Sequence, residues 1–395
     1  MPVNPVLAVD GFEAGALLSV YYASAASASI QTTTIRNGKY AARVNPSASR
    51  GGFFLGTPAG TNHAIARFYT WFGTLPDADV PIWYRPRSSG GVLNAGLAYN
   101  SATGCLRPFL NDAGSGTTFG SDGPTVSTGA WIRIDMLLKV NSAGTSSSTI
   151  DWKQAGAAQS QLSATVSGGT QAGMVFGNLQ GSTIMTSTNT CTMDVFFDDV
   201  VLLGDDGTYD IQYPLGDGRV LPSYPVGEGT HSGAGSFIDN SSNSPPVNPH
   251  LLVDDDPHST NTAADWFGQN TVGANDYLEF LLGDLPAFGG NVQGWSLYTE
   301  RNAISAGTGN CFWKGYDGSV FAIFNPTVTH TTMDGRIAVG AAGGGSRWTR
   351  SSYNGGGVRL RLGYAGQVSL VDRIHAFLMQ VAVAGAPRAG WGIIV

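Results

Sequence analysis

Short segments in which apolar and polar residues alternate recur roughly every ten to twenty residues along this chain. The clearest is AWIRIDMLLKV, residues 130–140, where Ile132, Ile134 and Met136 alternate with polar residues such as Arg133. Alternation gives a strand one dry and one wet face, which is typical of antiparallel sheets packed face to face. The pattern predicts stacked antiparallel sheets.

Composition excludes the main competing fold class. Long amphipathic helices need many Lys, Glu, Leu and Arg residues, whereas this chain of 395 residues has four Lys and four Glu against 55 Gly. A hydrophobic share of 42% is still ample for packed cores. The sequence therefore predicts an all-β protein.

The residue composition and pattern change twice along the chain. Alternating segments fill residues 1–205, a stretch dense in Gly, Pro, Ser and Asn follows at 206–250, and a second alternating region covers 251–395. Gly and Pro clusters mark linkers and turns. We expect two β-sandwich domains, 1–205 and 251–395, joined by an ordered Gly/Pro-rich strap.

Two adjacent carboxylates, Asp198 and Asp199, lie inside the apolar run FFDDVVLL. Successive side chains of a strand point to opposite faces, so the pair is not expected to converge on one substrate atom. We expect one of the two to be solvated and the other to hydrogen-bond a nearby turn.

Charge and cysteine content narrow the range of partners. A net charge of −7 lacks the basic balance that binding to a phosphate backbone requires, so nucleic acid is not an expected partner. Cys105, Cys191 and Cys311 are far apart and odd in number, which predicts free thiols instead of a zinc site.

We expect neither a membrane span nor a secretory signal in the N-terminal region. The uncharged run 14–35 is interrupted by Ser, Thr and Tyr, and no Lys or Arg precedes Arg36. We expect no membrane partner and synthesis in a host cytoplasm without a signal peptide.

The order of several segments resembles a known family. The segments are DGFEAG (10–15), GKYAARV (38–44), GAWIRIDMLLKV (129–140), FFDDVVLLGDDG (196–207), DIQYPLGDGRVLPSYPVGEGTHSGAGSF (210–237) and LLVDDDPHST (251–260). The first four resemble the concanavalin A-like, laminin-G-like jelly roll. The continuation is similar to bacteriophage virion proteins that join such a jelly roll to a second β-domain.

This resemblance implies jelly-roll sandwiches and a non-enzymatic structural component of a phage particle. Such a capsid decoration, head fibre or tail-associated protein would dock onto other virion proteins and form a homo-oligomer, with a trimer as one option. The alternative is an adhesin module that binds a host surface glycan. A third hypothesis is a glycosidase or depolymerase, because the same fold also hosts glycosidases.

Catalytic motifs give the enzyme hypothesis little support. Glycosidases need two carboxylates on opposite sides of the scissile bond. The four glutamates share no strand motif, and Asp194 and Asp198 share strand parity with the apolar Phe196 between them. We expect no catalytic residue and no cofactor.

An acidic turn is a weak candidate for Ca²⁺. Asp254, Asp255 and Asp256 supply hard oxygen ligands at close spacing, but that spacing matches no EF-hand loop. We expect these carboxylates to be solvated and the protein to hold no metal.

Aromatic and Arg residues outside the obvious strands are the candidate interface anchors, since these types dominate binding hot spots. They are Trp83, Tyr84, Arg85, Arg87, Trp313, Tyr316, Arg347, Trp348, Arg350 and Tyr353. The alternative is that they pack the cores or the contacts between subunits.

Overall fold

The computed structural model describes a large part of the chain. The described residues are 6–15, 17, 22–56, 63–86, 94–112, 116–141, 147–165, 173–179, 190–204, 213–254, 265, 267–269, 276–288, 291–302, 310–315, 336–340, 350–354, 359–365 and 373–384.

Two compact units form the protein. The first comprises residues 1–12, 21–219 and 387–395, and the second comprises 13–20 and 220–386. The described part of residues 206–250 contains three strands. The boundaries drawn from the sequence remain a prediction.

The described residues of the first unit form a nine-stranded and a seven-stranded antiparallel sheet. The strands of the first sheet are β1 (Val6–Asp10), β3 (Ala28–Gln31), β4 (Ala41–Val44), β6 (His63–Thr74), β11 (Trp131–Lys139), β12 (Ser147–Gln154), β13 (Ala157–Ala158), β14 (Leu162–Thr165) and β16 (Asp194–Gly204). Those of the second sheet are β2 (Tyr22–Ala26), β5 (Gly51–Leu55), β7 (Val80–Arg85), β8 (Asn94–Asn100), β9 (Cys105–Asp112), β10 (Gly116–Phe119) and β15 (Met174–Asn178).

Strand order shows long crossovers in both sheets. The first sheet runs β13-β12-β11-β6-β16-β4-β3, with β1 on β16 and β14 on β12; the second runs β10-β9-β8-β7-β15-β5-β2. Strands far apart in sequence are therefore neighbours, and residues from distant segments meet on one face.

Aromatic side chains hold the two sheets of the first unit together. Phe68 of the first sheet stacks on Trp83 of the second with ring centroids 5.3 Å apart, and Phe197 meets Phe176 at 4.9 Å. All four rings are fully buried. Burial of such large apolar surfaces is the main favourable term in forming the sandwich.

Alternation on the central strands decides which residues face outward. In β6, Phe68 points into the core, so Arg67 and Tyr69 lie on the outer face of the sheet. The register pairs Tyr69 with Arg133 and Arg67 with Asp135 of β11. The wet face predicted for β11 is thus the outer face, and here it carries a cluster of polar groups.

Two further sheets make up the second unit among its described residues. One contains β17 (Gly218–Ser223), β19 (Phe237–Asp239), β20 (Phe267–Gln269), β22 (Val292–Asn302), β24 (Arg336–Gly340) and β26 (Arg373–Ala384). The other contains β18 (Pro225–Glu228), β21 (Tyr277–Leu282), β23 (Asn310–Gly315) and β25 (Arg359–Ala365).

The two sheets of the second unit enclose a separate hydrophobic core. The third sheet runs β19-β20-β26-β22-β24 with β17 on β26, and the fourth runs β18-β21-β25-β23. Phe280, Trp295 and Val381 are buried members of the core.

Helical structure is minimal in the part of the chain that the structure describes. It consists of α1 (Arg350–Tyr353) and two 3₁₀ turns, Ala234–Ser236 and Pro249–Leu252. No described helix has the length and apolar character needed to cross a membrane. The prediction of an all-β sandwich architecture is confirmed.

Asp239 anchors the loop that follows β19. Its carboxylate accepts backbone N–H bonds from Ser241 and Asn243 at 2.9 Å and from Val247 at 3.3 Å, and a side-chain bond from Asn243 at 2.9 Å. Burial favours a higher pKa for this carboxyl, but the bonds from Asn243, Val247 and Ser241 outweigh burial and lower the pKa.

We expect Asp239→Asn to lower the free energy of unfolding of the second unit by about 1–2 kcal/mol at neutral pH, because an amide replaces one acceptor with a donor. A lowered pKa in the folded state contributes stability above the unfolded-state pKa, and that contribution is lost as the pH falls through the folded value. Urea unfolding at several pH values should therefore show the wild-type advantage shrinking on acidification. Asp265→Asn is the control, since Asp265 accepts from Asn240 at a 3.2 Å distance. An equal difference at all pH values would contradict this account.

Candidate functional site

A cleft of about 350 Å³ lies on the outer face of the first sheet, within the first unit. Backbone N–H groups of residues 216–219 attach this segment to the sheet: Gly216 donates to Asp135 at 3.2 Å and Gly218 donates to the Tyr69 hydroxyl at 3.2 Å. The residues lining the cleft are Arg36, Asn37, Tyr69, Trp131, Asp217 and Arg219.

Tyr69 is the central group of the cleft. Its hydroxyl donates a hydrogen bond to Oδ1 of Asp217 while accepting the one from Gly218. Burial raises the pKa of Tyr69 to about 12, the bond to Asp217 adds to the rise, and the nearby cations Arg67 and Arg36 oppose it. The phenol therefore keeps its proton at neutral pH and shares it with a carboxylate.

Arg36 lies over the Tyr69 ring. Its Cζ is 3.4 Å from the ring centroid, close enough for a cation–π contact. The guanidinium also donates to Asp199, to Asp217 at 3.0 Å and to the Gly218 carbonyl at 2.9 Å. Burial tends to lower the pKa of Arg36, but Asp199 and Tyr69 outweigh burial and raise it. Arg36 is thus a fixed cation.

A bulge in β16 corrects the expectation for the adjacent carboxylates. The register with β6 shifts between Asp198 and Val201, and Asp199 has φ 53°, in the left-handed region. Both carboxylates are fully buried and both bind the segment at Arg36, since Asp198 accepts from the Arg36 backbone N–H at 3.0 Å. The prediction that one is solvated and that they point apart is wrong, because the bulge re-aims the second side chain. The expectation that one carboxylate hydrogen-bonds a nearby turn is met by Asp198, which accepts from the backbone at Arg36 and Asn37.

Buried charges below the cleft balance one another. Asp135 is fully buried and pairs with Arg133 at 2.8 Å. Burial raises the pKa of Asp135, against the effect of Arg133 and Arg67. Burial lowers the pKa of Arg67, against the attraction of Tyr69, Asp199 and Asp135. Asp135 and Arg133 thus form an ion pair beneath the cleft, and the negative charges near Arg67 partly offset the cost of burying it.

The open side of the cleft offers binding groups. Trp131, Asn37 and Arg219 are half-buried. Among the described residues, the Arg219 guanidinium has no ion pair, side-chain hydrogen bond or ring contact. A planar cation with unused donors suits a carboxylate or sulfate, and an indole face suits a sugar ring.

Metal ligation is not a feature of the described residues, where no group of three His, Cys, Asp or Glu side chains is placed to hold an ion. Asp254 is exposed at the end of a described segment. Asp255 and Asp256 lie outside the described residues. Cys105 and Cys191 are buried free thiols, as the sequence predicted.

Three of the predicted interface anchors lie in the wrong environment for that role. Trp83, Tyr84 and Arg85 were expected in a loop, but they are the last residues of β7 and are fully buried. The loop prediction is wrong because the PIWYR segment forms a strand in the middle of the second sheet, where both faces are covered. Such side chains present no surface to a partner.

The other predicted anchors are dispersed. Tyr353 is buried in the core of the second unit, which corrects its assignment as a surface anchor. Arg350 is exposed and donates to the Leu285 carbonyl at 3.2 Å. Trp313 lies in β23. The remaining candidates, Arg87, Tyr316, Arg347 and Trp348, lie outside the described residues.

Sequence reasoning did not identify Arg36, Tyr69, Asp217 or Arg219 as site residues. A usable signal was present in β6, where Arg67 and Tyr69 interrupt an otherwise apolar strand. A charged residue in such a strand needs a buried partner, which is a hint of a functional face.

Comparisons with known proteins show no family for this chain. No protein-family model matches the chain, and no curated protein matches it. Solved structures that resemble it include an endo-β-1,4-glucuronan lyase from the fungus Trichoderma reesei, with 14% identity and a TM-score of 0.35 over 47% of this chain and 90% of that one. The cellulose induced protein Cip1 has 18% identity and a TM-score of 0.37 over 49% and 96% of the two chains. An alginate lyase from a Chlorella virus has 10% identity and a TM-score of 0.35 over 45% and 89%.

These findings correct the functional prediction. The predictions of a non-enzymatic phage structural protein and of no enzymatic role are contradicted: the solved structures that resemble the chain include a glucuronan lyase and an alginate lyase. The jelly-roll-like β-architecture agrees with the resemblance seen in the sequence. Likenesses at these identities and TM-scores carry no argument about the activity of this protein, which is inferred below from its own cleft.

Proposed function

We propose that the first unit is a depolymerase of acidic polysaccharides that works by β-elimination in the cleft over Tyr69. One observation carries this function: Arg219, whose guanidinium has no partner among the described residues, shares a cleft with the Tyr69–Asp217 hydrogen-bonded pair and with Trp131.

The cleft suits elimination better than hydrolysis. Hydrolysis of a glycosidic bond uses two carboxylates that face each other across it. Among the described lining residues Asp217 is the one carboxylate, and Asp198 and Asp199 are fully buried against Arg36. Elimination next to a sugar carboxylate needs instead a cation to neutralise that carboxylate and a group that moves one proton.

Each lining residue has a role in such a reaction. Arg219 binds the carboxylate of a uronic acid and stabilises the charge that develops on it when the neighbouring carbon loses its proton. Trp131 supports the sugar ring, and Asn37 offers amide donors and an acceptor.

Tyr69 and Asp217 move the proton. The Tyr69 oxygen takes the proton from carbon 5 of the sugar as its own proton passes to Asp217. The bond from carbon 4 to the glycosidic oxygen breaks, a carbon–carbon double bond forms, and Tyr69 protonates the departing oxygen. Asp217 then returns its proton to Tyr69, so the enzyme ends unchanged.

A panel of polyuronates and neutral polysaccharides tests this function. We expect new reducing ends and the ultraviolet absorbance of an unsaturated uronate from polyuronates alone. Reducing ends without that absorbance would contradict elimination. Binding of a polysaccharide without formation of new reducing ends would indicate a glycan-binding module and would contradict cleavage.

We expect Arg219→Gln to weaken the cleavage of polyuronates about ten- to a hundredfold, because the substrate carboxylate loses a charge-assisted partner. The measurement is the initial rate of the wild type and the variant on the best substrate of the panel, at several ionic strengths. Added salt should slow the wild type more than Arg219→Gln.

Arg50→Gln is the matched control. Arg50 is an exposed arginine that is not among the residues lining the cleft, and its substitution removes the same charge. Equal losses in the two variants would show that overall charge, and not the cleft, attracts the substrate.

A further inference from the structure

The bulge in β16 places two buried carboxylates against one arginine. Asp199 adopts φ 53° where the register between β16 and β6 shifts, and its side chain meets the Arg36 guanidinium. Asp198 accepts backbone N–H bonds from Arg36 at 3.0 Å and from Asn37 at 3.3 Å. One carboxylate therefore holds the side chain of Arg36 and the other holds its main chain.

Arg36, held in this way, also contacts Tyr69 and Asp217, the two residues proposed to transfer the proton. It donates to Asp217 at 3.0 Å and to the Gly218 carbonyl at 2.9 Å, and its Cζ lies 3.4 Å above the Tyr69 ring. Since Asp217 also accepts the Tyr69 hydroxyl bond, the guanidinium contacts both partners of the proton-transfer pair.

The burial of Asp198 and Asp199 at a bulge indicates a role other than pairing β16 with its neighbours. Two carboxyl groups at full burial are costly unless their hydrogen bonds are satisfied. A left-handed residue in the middle of a strand adds backbone strain. Neither feature is needed for sheet pairing, because β16 pairs with β6 on both sides of the bulge. Strain of this kind concentrates where a side chain must be aimed.

We propose that Asp199 is a positioning residue that, through Arg36, holds the Tyr69–Asp217 pair in the geometry required for proton transfer. The assignment rests on the function proposed above. Asp199 touches no substrate, and it acts by fixing the guanidinium between the phenol ring and Asp217.

Asp199→Asn is the test variant. Asn adopts the left-handed region at least as readily as Asp and has the same shape, so the bulge is preserved while one acceptor oxygen facing Arg36 is replaced by an amide. We expect kcat on the best polyuronate to fall about ten- to a hundredfold with KM within about twofold, because the reacting groups lose alignment.

A spectroscopic readout separates positioning from a merely structural role. The aromatic ring current of Tyr69 should shift the guanidinium NMR signals of Arg36 upfield, and the signals are assigned by their absence in Arg36→Lys. In Asp199→Asn these signals should move toward the position of an ordinary arginine at temperatures well below unfolding. This measurement needs no substrate.

Asp194→Asn is the matched control on the same strand. Asp194 pairs with Arg43 at 2.7 Å and does not line the cleft, so kcat and the Arg36 signals should stay at wild-type values. Should Asp199→Asn fold poorly, Arg36→Lys must show the same loss of kcat, because a lysine cannot bridge Asp199, Gly218 and Asp217 together.

The outcomes are distinguishable. An unchanged kcat and unchanged Arg36 signals in Asp199→Asn would overturn the positioning role while the proposed function stands. Absence of cleavage by the wild type would overturn the proposed function, and the NMR signals would still decide whether Asp199 holds Arg36.

Discussion

Tyr69→Phe should reduce polyuronate cleavage by about a hundred- to ten-thousandfold, the range expected when a general acid–base group is lost. The hydroxyl that donates to Asp217 and accepts from Gly218 disappears, whereas the ring under Arg36 is kept. Because the substrate is bound by other groups, KM should change far less than kcat. Steady-state kinetics on the best polyuronate provides the measurement.

The fold of Tyr69→Phe should be close to that of the wild type. Asp217 still accepts from Arg36 at 3.0 Å, but the bond from the Tyr69 hydroxyl to the Asp217 carboxylate and the bond from the Gly218 N–H are both lost, so the free energy of unfolding should fall by about 1–3 kcal/mol. Tyr40→Phe is the control, since Tyr40 is a half-buried tyrosine that does not line the cleft. A Tyr69→Phe protein that cleaves at the wild-type rate would remove Tyr69 from the reaction.

Trp83→Ala should lower the free energy of unfolding by about 3–5 kcal/mol, the cost of emptying a large site in a packed core. The indole is fully buried and stacks on Phe68 with ring centroids 5.3 Å apart, so little can collapse into the space it leaves. Urea unfolding followed by tryptophan fluorescence and circular dichroism measures the change.

Trp131→Ala is the counterpart that tests the assignment of the two tryptophans. Trp131 is half-buried on the outer face and lines the cleft. We expect little change in stability and about three- to tenfold weaker binding of polyuronate, because a stacking surface for the sugar is lost. The opposite result, a stable Trp83→Ala that fails to bind and an unstable Trp131→Ala, would mean that the roles are exchanged.

Local sequence pattern predicted the parts of the fold that depend on period and composition. The alternation in AWIRIDMLLKV places Ile134 and Met136 in the core and Arg133 on the outer face, as expected. The shortage of Lys and Glu excluded long helices. These features are local, so each segment carries them by itself.

Predictions from local sequence pattern were wrong at two positions, the segment PIWYR and the pair Asp198 and Asp199. Trp83, Tyr84 and Arg85 were placed outside the obvious strands, yet they belong to β7, which pairs with β8 and β15 inside the second sheet and is buried along its whole length. Asp198 and Asp199 were assigned to opposite faces because a regular strand alternates. A bulge breaks that alternation, and its position depends on how β16 meets β6, which no single segment specifies.

The sequence by itself determined that this protein is an all-β sandwich with a polar outer surface on β11, because strand periodicity and composition act within each segment. Only the tertiary structure decided where a site forms. Arg36, Tyr69, Asp217 and Arg219 come from three distant segments and meet because the crossovers of the first sheet and the hydrogen bonds of residues 216–219 bring them onto one face. A site formed by residues from distant segments leaves no periodic pattern in the sequence, so local pattern does not predict it.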